Sequence, residues 1–241
     1  MRNGCSSTSR RRPDSSPMLT SSIFLYPFVL LLSYILGSIP FGLLLVRLST
    51  GQDVRQLGSG RTGGTNAMRA AGFWAGLATA LLDGLKAACA VWLARALLPG
   101  TVWLDILAPL MSVLGHNYSL FLVERKPNGK LRLRGGAGGA PLVGGAFGLW
   151  PPSFLVILPL AVLILYFGGY ASVTTMSVAL IATLLFAYRA WLGASPWAYA
   201  VYGLIGELLL LWSLLPNINR LLEGRERLVG YRARHKDKKP S

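Results

Sequence analysis

The sequence predicts an all-α integral membrane protein, a polytopic bundle of about seven transmembrane helices of which one is short. Composition gives the first reason. Of the 241 residues, 53% are hydrophobic and only 14% are charged, whereas about a quarter of the residues in an average soluble domain are charged. The second reason is pattern, because the apolar residues form several runs of about twenty, the length that a helix needs to cross a bilayer.

The predicted spans follow one another in chain order. A short apolar segment at 138–149 is separated from the next span by Pro151 and Pro152, and it could be a short helix of its own or half of a broken one. Glycine and proline at membrane depth are tolerated where they line a cavity or are buried in protein. The six longer spans are predicted at 23–46, 72–98, 103–123, 153–167, 170–188 and 197–215.

The basic residues predict the orientation of the bundle. Most of the 24 lysines and arginines lie in connectors 47–71 and 124–137 and after Leu215, and cytoplasmic connectors are enriched in these residues. The three regions share one side only if the short segment crosses by itself, which puts the N-terminus outside and the C-terminus in the cytoplasm. The arginines of the first twelve residues disagree with this orientation, and a translation start at Met18 would remove the disagreement.

Three parts of the chain follow from this topology. Residues 1–17 are predicted to be a polar, basic extension that is disordered or lies upstream of the true start. Residues 18–219 form the transmembrane domain, which is predicted to carry the chemistry, and residues 220–241 form a basic cytoplasmic tail.

Charge and cysteine content exclude several functions. The net charge is +15, but because the basic residues cluster in connectors and at the C-terminus, we expect no nucleic-acid partner. Cys5 lies in a polar tail and Cys89 in an apolar span, so neither implies a disulfide framework. His116 and His235 are too few and too isolated for a metal cluster. We therefore expect no metal and no cofactor.

The first polar segment with unusual chemistry is the glycine-rich connector from Gly51 to Gly72. Glycines allow sharp turns that expose backbone N–H groups, and hydroxyl side chains, a helix N-terminus and a guanidinium group complete a cradle for phosphate or carboxylate. The alternative is a flexible basic connector that faces anionic lipid headgroups. The candidate residues are Gly58, Ser59, Gly60, Gly63, Thr65, Asn66 and Arg69.

Two further polar segments lie on the same predicted side. In residues 115–145, Arg134, Gly135, Gly136 and Gly138 precede the short helix, where backbone amides could hold an anion or glycines could allow close helix packing. Residues 215–232, with Asn217 and Arg220 near the start, are predicted to leave the last span as an amphipathic helix at the membrane surface. These residues could complete an anion site or bind lipid.

Charged residues also occur inside the predicted spans. Asp83 and Lys86 lie three residues apart on one helical face, and charges at membrane depth are usually functional or paired. A structural ion pair and a substrate contact are both open. His116, at the end of the third predicted span, is expected to cap or pack rather than to catalyse.

Six motifs occur in order along the chain, namely "GSIPFG", "GSGRTGGTNAMR", "DGLK", "GHNYSLFL", "RGGAGGAP" and "NINRLLEGRE". Together they resemble the bacterial integral-membrane glycerol-3-phosphate acyltransferases that use acyl phosphate (the PlsY type). The resemblance covers residues 18–232, nearly the whole chain, and the family also has seven spans with the N-terminus outside.

The resemblance implies a reaction and roles for these residues. A fatty acyl group would move from acyl phosphate to the 1-hydroxyl of glycerol 3-phosphate, giving lysophosphatidic acid in phospholipid synthesis, at the cytoplasmic face of the bacterial inner membrane. The partners would be the two phosphates and membrane lipid. Ser59, Arg69 and Asn217 would be catalytic; Gly58, Gly60, Gly63, Thr65, Asn66, Arg134, Gly135, Gly136, Gly138 and Arg220 would bind substrate; Asp83, Lys86 and His116 would support them.

The chain departs from the family pattern at a charged position. The second lysine of the family's KGGKG segment is Ala137 here, and the first is Arg134. Arg61, Lys130, Arg132 or Arg134 could supply the missing charge, although guanidinium does not replace ammonium neutrally. The alternative function is a membrane homologue without turnover that binds or transports an anionic lipid or metabolite. A His-x4-Asp acyltransferase is excluded, because Phe121 stands where the aspartate would be.

Overall fold

The computed structural model describes residues 16–125, 128–229 and residue 233. Its helices are α1 (Ser16–Ser38), α2 (Phe41–Thr50), α3 (Gly64–Ala71), α4 (Phe73–Leu97), α5 (Val102–Asn117), α6 (Gly139–Leu149), α7 (Ser153–Gly168), α8 (Ala171–Trp191) and α9 (Ala198–Leu222). Two short strands, β1 (Val123–Arg125) and β2 (Leu131–Leu133), and a 3-10 turn at Val54–Gln56 complete the described secondary structure.

Helix pairs combine into longer passes through the bundle. Helix α1 ends at Ser38 and α2 starts at Phe41, with Pro40 between them, and Gly72 joins α3 to α4 with φ +87°. Four segments of the described chain are long and apolar enough to span a membrane, namely Phe24–Thr50, Gly64–Leu97, Ala171–Trp191 and Ala198–Leu222. With α5, α6 and α7 they make the predicted helical bundle.

The short helix predicted from the sequence is α6. Its 11 residues extend about 16 Å, roughly half the hydrocarbon thickness of a bilayer. Trp150 and the two prolines that follow turn the chain into α7. The prediction that this segment is a short helix of its own is therefore confirmed, because α6 ends at Leu149 and α7 begins at Ser153.

Close helix contacts hold the centre of the bundle together. Helices α4 and α6 cross where Gly84 faces Gly144, and a Cβ on Gly144 would overlap the Gly84 backbone. Buried side chains such as Ile106, Phe186 and Tyr202 form the core beside this crossing. Many leucines on the outer faces of the helices are exposed, as expected for surfaces that contact lipid.

The polar connectors meet at one end of the bundle. One cavity is lined by residues of the 51–63 connector, the 134–138 connector, the start of α8 and the segment after α9, including Ser59, Ala137, Ala171 and Arg227. The polar connectors that the sequence predicted to share one side therefore meet at one cavity.

One local expectation was wrong, and one connector has structure that the sequence did not predict. In the 124–137 connector, β1 and β2 form an antiparallel hairpin in which Glu124 lies opposite Arg132. The amphipathic helix expected over residues 215–232 ends at Leu222, and residues 223–229 have no helix. That segment folds back, so that the Val229 N–H donates to the Gly169 carbonyl at 2.8 Å.

The predicted division into three parts stays a prediction. Residues 1–15 and most residues after Val229 lie outside the described residues. The translation start at Met18 therefore also stays a prediction. Helix α9 runs without interruption through the predicted boundary between residues 219 and 220, to Leu222.

Candidate functional site

The glycine-rich connector is folded around one asparagine side chain. Gly58 and Gly60 have φ of +53° and +69°, values that only glycine adopts readily, and they form a tight turn with Ser59 between them. The Asn66 Oδ1 accepts a hydrogen bond from the Ser59 N–H at 3.2 Å. Its Nδ2 lies 2.9–3.0 Å from the carbonyls of Val54, Leu57 and Arg61. Asn66 therefore shapes the cradle and has no donor left for a ligand.

Arg61 lies where the three polar segments meet. Its Nη1 donates to the Gly136 carbonyl at 2.8 Å and to Ser213 Oγ at 3.1 Å. Its Nη2 donates to the Ser213 carbonyl at 2.6 Å and to Asn217 Oδ1 at 3.2 Å. All four acceptors are neutral, so these bonds position the guanidinium group and leave its charge uncompensated. Burial, with a smaller contribution from Arg220, lowers the pKa of Arg61.

The second polar segment packs directly on His116. The Gly136 N–H donates to the His116 carbonyl at 2.9 Å, and a Cβ on Gly136 would overlap the imidazole ring. Gly138, with φ +93°, then precedes α6 as its N-cap. Gly136 is therefore required by the close approach of backbone and ring, and Gly138 by its left-handed backbone conformation.

A buried lysine neutralises the polar groups beneath this segment. Lys86 Nζ lies 2.9 Å from Asp83 Oδ1, 3.0 Å from the Ile39 carbonyl and 3.0 Å from His116 Nδ1. His116 Nδ1 also lies 3.4 Å from Asp83 Oδ1, so the three side chains form one buried cluster. The predicted pair of Asp83 and Lys86 is present, with His116 as its third member.

The third polar segment is held by a carboxylate that the sequence reasoning did not single out. Glu226 accepts hydrogen bonds from Asn217 Nδ2 at 2.9 Å and from Arg220 Nε at 3.2 Å, and its side chain is only 7% exposed. Because residues 223–229 fold back onto the α7–α8 turn, Glu226 and Arg227 become part of the wall of the site. The letters "GRE" at the end of the last motif were the sequence signal that could have identified Glu226.

The three segments enclose a cavity of about 460 Å³. One end is polar and includes Ser59, Thr65 and Arg69 from the first segment and Asn217 from α9. The other end is apolar and lies between α4 and α7, where the lining residues are Phe73, Leu77, Ala80, Val162 and Leu165. Phe73 and Val162 are 60% and 55% exposed, so the apolar end opens sideways, towards the surface that faces lipid.

The polar end of the cavity carries surplus positive charge. Arg69 and Arg227 line it, and within residues 24–125 and 128–229 neither guanidinium group has a carboxylate within salt-bridge distance. The Glu226 carboxylate is shared by Asn217 and Arg220. A cavity with unneutralised arginines at one end and apolar walls at the other suits an anion with a long apolar tail.

The predicted site residues divide between this cavity and its surroundings. Gly60, Arg134 and Gly135 line a neighbouring cavity instead, Gly136 binds Arg61 through its carbonyl, and Lys86 lies behind Asp83 and His116. Those that line the cavity are Gly58, Ser59, Gly63, Thr65, Asn66, Arg69, Asp83, His116, Gly138, Asn217 and Arg220.

Of the four candidates to replace the lysine at Ala137, Arg61 is the one that lines the same cavity as Ala137. Arg61 is also bonded to the carbonyl of the residue before Ala137. Arg134 instead pairs with Glu124 at 3.0 Å, and Lys130 and Arg132 are exposed in the hairpin.

Metal ligands do not gather in this part of the chain. Over the residues that the structure describes, no three His, Cys, Asp or Glu side chains lie close enough together to hold a metal ion. The charge available at the site is that of its arginines and backbone amides.

Comparisons with known proteins agree with this geometry. A family model described as glycerol-3-phosphate acyltransferase matches residues 27–224. The chain is 38% identical over 206 residues to the glycerol-3-phosphate acyltransferase of Thermus thermophilus, and the match covers 86% of this chain and 96% of the relative. It is 36% identical over 217 residues to glycerol-3-phosphate acyltransferase 3 of Dehalococcoides mccartyi, with the same coverage of 86% and 96%.

Two solved structures have the same fold. One is the crystal structure of PlsY (YgiH), an integral membrane glycerol 3-phosphate acyltransferase, in its glycerol 3-phosphate form, with a TM-score of 0.73 and 30% identity. The other is the lysophosphatidic acid form, with a TM-score of 0.70 and 28% identity. Each match covers 86% of this chain and 96% of the solved chain.

Proposed function

The chain belongs to the glycerol-3-phosphate acyltransferase family, and we propose that it transfers a fatty acyl group from acyl phosphate to the 1-hydroxyl of glycerol 3-phosphate. The products are lysophosphatidic acid, a precursor of membrane phospholipids, and phosphate. The observation that carries this proposal is the cavity with unneutralised arginines at one end and an apolar opening between α4 and α7 at the other. Both reactants carry phosphate, and one carries a fatty chain.

Residues of the polar end are proposed to hold the phosphates. Arg69, on α3 beside the exposed turn of Gly58 and Ser59, has a planar fork of donors that matches phosphate oxygens. Thr65 is in the first turn of α3, where backbone N–H groups attract anions. Asn217 closes the cavity from α9, and its amide is oriented by Glu226 and Arg61.

The reaction needs orientation and charge stabilisation more than a strong base. The 1-hydroxyl oxygen attacks the acyl carbonyl carbon, the new ester bond forms, and the bond between that carbon and the phosphate oxygen breaks. The lining carboxylates are each paired with a cation, which makes them weak bases, since Lys86 lies 2.9 Å from Asp83 and Arg220 lies 3.2 Å from Glu226. We therefore assign the hydroxyl proton to the departing phosphate, with Arg61 and Arg69 stabilising the negative charge that develops.

The apolar opening is proposed to hold the acyl chain. Phe73 and Leu77 on α4 and Val162 and Leu165 on α7 line it, and each buried methylene contributes about 0.8 kcal/mol. A chain in this slot would keep its carbonyl at the polar end, while the tail remains in contact with lipid.

The protein is a multi-pass membrane protein, and we propose that the site faces the cytoplasm from the bacterial inner membrane. The excess of lysine and arginine in the connectors at the site end supports this orientation. In a background where Cys5 and Cys89 are replaced, Ser59→Cys and Asn217→Cys should both react with an impermeant maleimide from the cytoplasmic face. Labelling from opposite faces would contradict the site itself.

The direct test is a reconstituted reaction. The full chain in detergent, supplied with acyl phosphate and glycerol 3-phosphate, should produce equal amounts of lysophosphatidic acid and phosphate. Acyl-CoA should not replace acyl phosphate, because the proposed site recognises the donor through its phosphate. Saturable binding of both reactants without product would instead identify a homologue that binds these anions without turnover.

A further inference from the structure

A second cavity lies on the other side of the turn that carries Ser59. It has a volume of about 520 Å³ and is bounded by the hairpin strand β2, the end of α5 and the last turns of α9. It shares Ser59, Arg61, Asn217 and Arg220 with the reacting cavity. Arg61, bonded across to Gly136 and α9, therefore forms part of the partition between the two cavities.

The second cavity has more positive charge than its neighbours compensate. Four arginines line it, namely Arg61, Arg132, Arg134 and Arg220. Arg134 pairs with Glu124 at 3.0 Å and Arg220 with Glu226 at 3.2 Å, and neither carboxylate is among the lining residues. Arg61 has only neutral acceptors, and Arg132 has no carboxylate within 4.0 Å in the described chain.

A buried amide lies beneath the wall of the same cavity. Asn117 lines the cavity and is only 5% exposed, and neither Oδ1 nor Nδ2 has a hydrogen-bond partner among the described residues. Both amide atoms face Gly138, where a Cβ would lie 2.8–3.0 Å from them, and Gly138 lines the reacting cavity. The charged donors of the second cavity are therefore those of its arginines.

We propose that this second cavity is a binding site for dianionic phosphate, separate from the reacting cavity. Guanidinium groups bind phosphate oxygens through paired, charge-assisted hydrogen bonds. Arg132 has no carboxylate partner in the described chain, and Arg61 adds a positive charge that its four neutral acceptors do not compensate. The proposed reaction, on which this link rests, consumes a phosphate monoester and releases inorganic phosphate. The cavity would hold one of these two species beside the partition formed by Arg61.

The binding test uses inorganic phosphate and needs no turnover. The full chain in lipid nanodiscs is dialysed to equilibrium against labelled phosphate, as wild type and as Arg69→Ala, which disables the reacting cavity. Wild type should bind two equivalents and Arg69→Ala should keep one. Loss of all binding in Arg69→Ala would overturn the proposal.

Matched variants then show where the phosphate that remains bound to Arg69→Ala is located. Adding Arg132→Gln to Arg69→Ala should weaken phosphate binding roughly tenfold, the scale of one charge-assisted hydrogen bond. Adding Arg125→Gln, which removes the same charge from the same hairpin but does not line the cavity, should leave binding unchanged. Equal weakening by both would show a general charge effect and would overturn the proposal.

Kinetics with an otherwise wild-type chain distinguishes the two sources of phosphate. If the occupant is incoming glycerol 3-phosphate, Arg132→Gln should raise its KM several-fold and leave kcat nearly unchanged. If the occupant is departing phosphate, the same variant should weaken product inhibition by phosphate at constant KM. If neither quantity changes, the proposed link to the reaction is wrong. If the protein binds two phosphates but catalyses no acyl transfer, the proposed function is wrong and the second phosphate site still stands.

Discussion

Two arginines at opposite ends of the bundle show how the same side chain serves two purposes. Arg95, at the end of α4, donates to Asp105 at 3.1 Å, to the carbonyls of Gly148 and Leu149 at 3.1 Å, and to the Tyr199 hydroxyl at 2.8 Å. Arg61 donates to neutral groups alone. Arg95 is neutralised by a carboxylate and caps α6, whereas the charge of Arg61 stays available to a ligand.

This comparison separates positions that stabilise the fold from positions that bind. At the far end and in the interior, Arg95 and Lys86 each lie next to a carboxylate and donate to other protein groups as well. At the site end, Arg61, Arg69, Arg132 and Arg227 have no such carboxylate. We therefore expect substitutions in the first group to change stability, and substitutions in the second to change activity.

The largest effect on stability is expected at Lys86, the most completely neutralised cation. Lys86→Met leaves Asp83 buried and unpaired, which costs about 3–5 kcal/mol, and should lower the midpoint of thermal unfolding in detergent sharply. The double variant Lys86→Met/Asp83→Leu removes both charges and should recover much of the loss. If the single and double variants were equally unstable, the ion pair would not be the reason.

The largest effect on activity is expected at Arg69. Arg69→Ala should lower kcat/KM for acyl transfer roughly 100- to 1000-fold, the scale of one lost transition-state donor, with the unfolding midpoint unchanged. Arg189→Ala is the control, because Arg189 stacks on Trp150 at the far end and lies outside the site. Similar losses of activity in both variants would mean that the site is assigned to the wrong end.

At the far end, Arg95→Met should reduce stability and spare the chemistry. The expected loss is about 2 kcal/mol, below the range for a fully buried pair, because the Arg95 side chain is 35% exposed and solvent screens its charge. The kcat and KM of the folded fraction should match those of the wild type. A raised KM for glycerol 3-phosphate would show that the two ends are coupled, against the separation made above.

A smaller effect is expected from Arg61→Lys. Lysine keeps the charge but has three donors on a flexible stem instead of a rigid fork, so it cannot reach Gly136, Ser213 and Asn217 together. Activity should fall roughly tenfold, which corresponds to about 1.4 kcal/mol. Arg61→Gln, which also removes the charge, should lose more. Equal losses in the two variants would show that geometry, and not charge, is what Arg61 supplies.

The smallest effect is expected from Asp53, a carboxylate at the site end that is paired with Arg55. A hydrogen bond from Arg55 holds the pKa of Asp53 below its usual value. The pKa of Asp53 is lower in the folded state than its unfolded value of about 3.9. The ionised carboxylate therefore stabilises the fold at pH values above about 3.9, and this contribution is lost as the pH falls through the folded-state pKa. Asp53→Asn should cost about 0.5 kcal/mol at pH 7 and make unfolding less dependent on pH below 5. An unchanged pH profile would exclude this pair.

The sequence alone was enough to predict the bundle, the short helix and the meeting of the polar segments. Composition and run length predict transmembrane helices, because a helix must satisfy its own backbone in lipid, and the basic connectors can share a side only when the number of passes between them is even. The motifs "GSGRTGGTNAMR" and "NINRLLEGRE" marked Arg69 and Asn217, which the fold brings to one cavity.

Tertiary contacts decided which of the marked side chains are available. Asn66 is fully used by backbone carbonyls of its own connector, and Arg134 is held by Glu124 because the hairpin register brings them together. Arg61 became central, since Gly136 and α9 surround it. The patterns in a sequence predict where polar groups gather, but the availability of a donor depends on acceptors from distant segments, and their positions exist only once the chain has folded.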